Sequence, residues 1–347
     1  MLKPLLSCSL MATTLIAPSA IAQTADGAPA KPTRRIPFNL SLIGPYGFAQ
    51  VFDEPVVAQS SLNLLGGQIG GIEGLSIGTL YNHVDKTMAG LQMAAGLNLV
   101  GRRVVGLQMA GGMNVVDGAV DGVQAAGGLN LAGTVDGVQV AGGYNFATQS
   151  MKGVQTAVIN QAGDVEGVQV GVFNIAGTVK GVQVGVLNVA EDVDVPIGLF
   201  SYVRQGRFEG DLQVTDSGFT TLGVSSGSKR VYSVLGLSNL PKADGNHLGL
   251  NVGLGFHFPL SERSFSRLEI TGGPLQEDPS SVANWTSVNS YKAMLGWKLA
   301  PRLAIKAGVS LNQTTLRKDS TFRPSDNLIY ESGRFQVWPA AFLGVDL

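Results

Sequence analysis

The sequence predicts an all-β fold, and three observations predict it. Residues alternate between apolar and small or polar with a period of two, through tandem units in the first half and longer runs in the second. Glycine fills 47 of 347 positions, about twice its usual share. Charged residues make up 14% of the chain, against about 25% in ordinary soluble domains. Extended strands packed on something apolar account for all three. The formal charge of −1 gives no bulk attraction to polyanions, so nucleic acid is not expected as a partner.

Along the chain, the first segment reads as an export signal. Lys3 supplies a positive start, Leu10 to Ala17 an apolar run, and Ala20-Ile21-Ala22 a small-x-small cleavage pattern. The expected divisions are a signal over 1–22, a flexible leader over 23–35, a first strand and repeat array over 36–194, and amphipathic strands over 195–347. Cys8 is the only cysteine and is expected to leave with the signal, so no disulfide or thiolate site is expected in the mature chain.

The array begins clearly at Gly90-Leu91-Gln92-Met93 and repeats from Gly106, Gly122, Gly137, Gly153, Gly167 and Gly181. A degenerate copy starts at Gly74. These glycines lie 14 to 16 residues apart. Each clear unit carries a glutamine (Gln92, Gln108, Gln124, Gln139, Gln155, Gln169, Gln183), then an asparagine (Asn98, Asn114, Asn130, Asn145, Asn160, Asn174, Asn188). Within Gly137 to Ala147, one face holds Val138, Val140, Tyr144 and Phe146, and the other Gln139, Ala141, Gly143 and Asn145. Charge sits at the joints, at Asp136, Lys152, Asp164, Glu166 and Lys180. The recurrent amides are expected to form ladders along neighbouring strands or to line a polar lumen; contact with a specific ligand is the alternative. The last units shorten the Gly-to-Asn spacing by one, which a bulge or an altered corner would absorb.

After about Ile197 the strands lengthen. Leu248 to Phe258, Tyr291 to Leu299, Leu303 to Leu311 and Val337 to Leu347 each place apolar residues on one face, the pattern of membrane-barrel strands. Tight turns at Pro259 to Arg263 and Ala300 to Arg302 alternate with polar stretches at Gly273 to Asn289 and Gln313 to Arg334, expected as long loops. Tyr232, Phe258, Phe265, Tyr291, Trp297 and Trp338 are candidate interfacial aromatics, and Lys292, Lys298 and Lys306 candidate inward cations. A soluble β-sandwich is the competing reading of the same strands.

Ile36 to Gly47, Ser61 to Gly66, the serial Gly-Val-Gln units with their asparagines, and Val195 to Phe200 together resemble the bacterial surface-repeat proteins, exported envelope proteins with tandem repeats ahead of an aromatic-rich β region. The resemblance implies a surface or outer-membrane location and brings no catalytic residues.

Two arrangements remain open. In the first, the repeat strands are staves of one antiparallel outer-membrane-type barrel, its first strand pairing with its last. In the second, the repeats form a parallel β-solenoid followed by a smaller barrel or sandwich. The function expected of the first is a structural component or passive pore in contact with outer-membrane lipid; of the second, a surface module for adhesion or interaction. No catalytic, cofactor or metal site is expected. His83, His247 and His257 lack a second ligand at metal-binding spacing, Glu277-Asp278 offers only a lone acidic pair, and Arg267 with Glu269 reads as a solvated pair.

Overall fold

A computed structural model describes residues 33–278, 284–317, 320 and 322–347; the expected signal and most of the expected leader lie outside these residues. Among the described residues the regular structure is strand, with one short 3-10 turn at Phe48–Val51.

The repeats stack in parallel. Asn130 pairs with Asn145 and Gln139 with Gln155 in the same register, and equivalent matches run through the array. The strand Leu129–Ala141 shows how one coil is built. Leu129 to Ala132 lie on one sheet, the chain bends at Gly133, and Thr134 to Ala141 lie on the facing sheet. Gly142 and Gly143 then turn the chain into the next coil, whose strand is Tyr144–Thr156. Each coil therefore has a charged corner near Asp136 and a small-residue tip near Gly142.

This geometry rules out the first arrangement. Antiparallel staves would invert the order of glycine, glutamine and asparagine between neighbours, whereas the pairing keeps that order. The first strand, Arg34–Ile43, pairs with Val56–Asn63 and not with the last strand; it also takes in two residues of the expected leader. The bend at Gly133, unmarked by proline or by a break in the pattern, is what lets a 14–16-residue unit close a coil. The shortened units lose one residue at the tip: Ala157 and Val158 replace the three residues Ala141 to Gly143, while the strand registers stay in step.

The glycine opening each unit has a specific cause. Gly137 has φ of +145°, and a Cβ there would overlap the carbonyl oxygen of Gly122 one coil below. Only glycine takes that conformation at that approach.

The last coil, Asp192–Val203, ends the solenoid within the segment expected to belong to the barrel region. Eight antiparallel strands then close a barrel: Arg207–Thr215, Thr220–Gly227, Val231–Lys242, Gly245–Pro259, Ser264–Gln276, Trp285–Ala300, Leu303–Thr315 and Phe335–Asp346. Closure is direct, with Leu212 of the first of these opposite Val345 of the last. The stretch expected as a loop from Gly273 to Asn289 is mostly strand, because Gly273 to Gln276 pair with Trp285 to Val288.

Candidate functional site

The barrel lumen is filled by charged side chains at the end with short turns. Arg267, 1% exposed, donates to Glu209 at 2.7 Å and ion-pairs with Asp346 at 3.0 Å. Arg207 also donates to Glu209, at 2.7 Å. Lys306 contacts Asp211 and lies 2.9 Å from Asp346. Tyr232 donates its hydroxyl proton to Glu269 at 2.9 Å, and Lys292 donates to Gln213 at 3.0 Å. An eight-stranded barrel is just wide enough for its own side chains, and here acids and bases interlock across it.

Several sequence expectations change at this point. Arg267 and Glu269 are buried in the lumen and not solvated, because alternate residues of a barrel strand must face inward. Lys292 and Lys306 do face inward, while Lys298 is exposed at the rim. Of the proposed interfacial aromatics, Phe258, Tyr291 and Trp297 are exposed on the outer wall. Tyr232, Phe265 and Trp338 are buried. His257 accepts from Arg267 at 3.2 Å, and His247 faces Asp244 at 3.1 Å, holding that exposed carboxyl below its usual pKa range. Glu277 accepts from the backbone of Arg317 at 3.1 Å. Among the described residues, no group of three or more His, Cys, Asp or Glu is placed to hold a metal.

The repeated glutamines and asparagines of the array, Gln92 to Gln183 and Asn98 to Asn188, point inward and are fully buried. Gln139 donates to Gln124 at 2.8 Å and accepts from Gln155 at 2.8 Å; the same link joins Gln92 through Gln183. In the second ladder Asn130 donates to Asn145 at 2.9 Å, and Asn145 to Asn160 at 3.1 Å. Each asparagine of the array also donates across the coil to a backbone carbonyl, as Asn145 does to Thr156 at 2.9 Å. The asparagine ladder runs into the barrel. Asn188 donates to Ser201 at 3.2 Å, Ser201 meets Ser233 of the outer wall at 3.2 Å, and Ser233 donates to the Gly198 carbonyl at 2.8 Å.

The outer surface divides sharply. On the tip side of each coil the interior holds amides, while the exterior holds Val140, Val170, Phe173, Ile175 and their equivalents. On the corner side the interior is aliphatic, with Ala132, Val135, Ala147, Met151 and Val165, and the exterior carries the charges. The exposed wall of the barrel is also apolar, with Leu237, Leu295, Val309 and Leu343 each more than 60% exposed. A groove of about 800 Å³ runs between the solenoid tips and the wall at Val252 to Leu254.

The geometry defines a class, an all-β chain in which a parallel solenoid is joined to the outside of a closed antiparallel barrel. No family model and no curated protein matches the chain. Among solved structures, the NanC porin in a rhombohedral crystal form is matched at 8% identity with a TM-score of 0.18, over 41% of this chain and 99% of that one.

Proposed function

We propose that this chain is a non-enzymatic integral protein of the bacterial outer membrane, in which the barrel is the anchor and the solenoid a structural arm. The observation that carries the reading is the barrel itself: it closes without a free edge, presents an apolar wall outward and packs its charges inward. A closed, outward-apolar barrel satisfies every backbone group in lipid. The interlocked ions favour an anchor over a passive pore, because Arg267, Glu209, Lys306 and Asp346 occupy the lumen cross-section.

Carbonate washing of envelopes tests location: the chain is expected in the membrane pellet, and its release into the wash would defeat the proposal. Conductance in planar bilayers is expected to stay at baseline. Stable unitary steps would replace the anchor with a pore.

A second reading, a surface module for adhesion or interaction, is favoured by the flat exposed faces of the solenoid. On that reading the faces are reached by a water-soluble labelling reagent in intact envelopes.

A further inference from the structure

We infer that the solenoid is itself embedded in the membrane, as a fin lying in the leaflet on the short-turn side of the barrel, with lipid acyl chains filling the groove between its tips and the barrel wall. The inference rests on the membrane reading of the barrel and adds the placement of the repeats.

Three observations carry it. First, polarity inverts across each coil. The corner half follows the rule for water, aliphatic inside and charged outside, with Val135 buried and Asp136 exposed. The tip half reverses it, with Gln139 and Asn145 at 0% exposure and Val140 at 43%. A surface that hides hydrogen-bonding amides and shows valine suits hydrocarbon.

Second, the two halves line up with the barrel. At the corner, Ser228 in a short turn donates to the Asp194 carbonyl at 3.1 Å, so the charged edge sits at the rim. At the tip, Gly198 and Leu199 share the groove with Val252 to Leu254, which lie mid-strand on the outward wall. The strand rise of about 3.3 Å, on staves tilted about 40°, puts the tips about 15 Å below the rim. That is roughly half of the ~25 Å apolar band of an outer-membrane barrel.

Third, the exterior of the tip half is mostly apolar or small along the array, with Gln68, His83, Thr156 and Gln161 among its polar breaks. It runs from Leu65 and Leu80, across the small tips at Ala95-Gly96, Gly111-Gly112, Gly127-Gly128 and Gly142-Gly143, to Val158, Val172, Val186 and Leu199 and onto the barrel wall. A protein partner would have to cover both faces of the fin and its tip, whereas lipid does so without a complementary shape. The shorter connections of outer-membrane barrels face the periplasm, which assigns the fin to the inner leaflet.

The test uses the full chain with Cys8→Ala and single cysteines carrying an environment-sensitive fluorophore. The sites are Val172→Cys and Val186→Cys at the tip, Asp136→Cys at the corner, and Leu295→Cys on the barrel wall. The protein is reconstituted in phosphatidylcholine–phosphatidylglycerol vesicles with lipids brominated at mid-chain, or with aqueous iodide as the opposing quencher. The expected result is quenching of the two tip labels and the Leu295 label by brominated lipid, several-fold above quenching by iodide, with the reverse at Asp136. Iodide quenching at the tips with lipid quenching at Leu295 would overturn the embedded fin and leave the barrel in the membrane. Tips reached by neither quencher, with Leu295 in lipid, would mean that a second copy or another protein covers them, and would equally overturn it. Iodide quenching at Leu295 would remove the membrane reading as well.

Discussion

Truncating one amide in the middle of a ladder tests whether the ladders, more than the aliphatic stripe, hold the coils in register. Gln139→Ala removes the acceptor for Gln155 and the donor to Gln124, both at 2.8 Å. Both neighbours are fully buried: Gln124 is left with an unsatisfied amide carbonyl, and Gln155 keeps only its 3.5 Å contact to the Gln161 carbonyl. An orphaned buried polar group costs about 1–3 kcal/mol, so the expected loss is at least that, before any cavity or the weakened Gln155 bond is counted. Gln92→Ala, at the end of the same ladder, removes the acceptor for Gln108 at 3.0 Å but also a buried amide nitrogen that has no partner, so its cost falls below the about 1–3 kcal/mol of one orphaned group. Guanidinium unfolding in detergent micelles measures both. Far-UV circular dichroism reports all strands, whereas tryptophan emission reports only the barrel, because Trp285, Trp297 and Trp338 all lie there. Gln139→Ala should separate the two transitions, with the solenoid melting first, and Gln92→Ala should do so less than half as strongly. Equal shifts for the two variants would refute the ladder argument, since both delete the same side chain, one from a fully bonded position and the other from a ladder end whose amide nitrogen has no partner.

Three further outcomes are expected. Gly137→Ala forces a Cβ against Gly122 in a conformation that L side chains rarely adopt. Limited proteolysis should find the array cut near that coil while the barrel stays intact. Lys306→Met leaves Asp211 buried without a cation, while Asp346 keeps its pair with Arg267, a loss of about 3–5 kcal/mol. The temperature at which the barrel loses its compact mobility on unheated gels should fall, and adding Asp211→Asn should restore part of it. Ser233→Val breaks the links to Ser201 and the Gly198 carbonyl, at about 1–3 kcal/mol. Protease cleavage between Arg204 and Gly206 should quicken without change in barrel stability.

Much of this architecture is visible in the residues, and the parts that are not have identifiable causes. The two faces of Gly137 to Ala147 are legible from alternation alone. Which face points inward is not, because in water the valines would be buried and here the amides are. Near-identical units at near-constant spacing suit parallel stacking, but the same alternation also suits antiparallel staves, and the coil closes at Gly133, where alternation gives no sign of a bend. The positive φ of Gly137, a property of the stacked state, explains why each unit must open on glycine. In the barrel, the aromatic residues suggest an outward girdle by composition. Parity along each strand sends Tyr232 and Phe265 inward, against Arg267, whose guanidinium lies 4.5 Å from the Phe265 ring centre. That inward set could have been read by counting alternate positions from Arg267 and Glu269 through the barrel strands.

The junction at Ser201 and Ser233 has a consequence for how such a chain can vary. The final coil bonds to the barrel through this pair and through Asp194 with Ser228, and the clear repeat units before it meet near-copies of themselves. Adding or deleting one whole unit therefore changes the reach of the arm by a single inter-strand step, about 4.8 Å, and leaves the anchorage untouched. Length here is a digital quantity, set by the number of units the gene encodes.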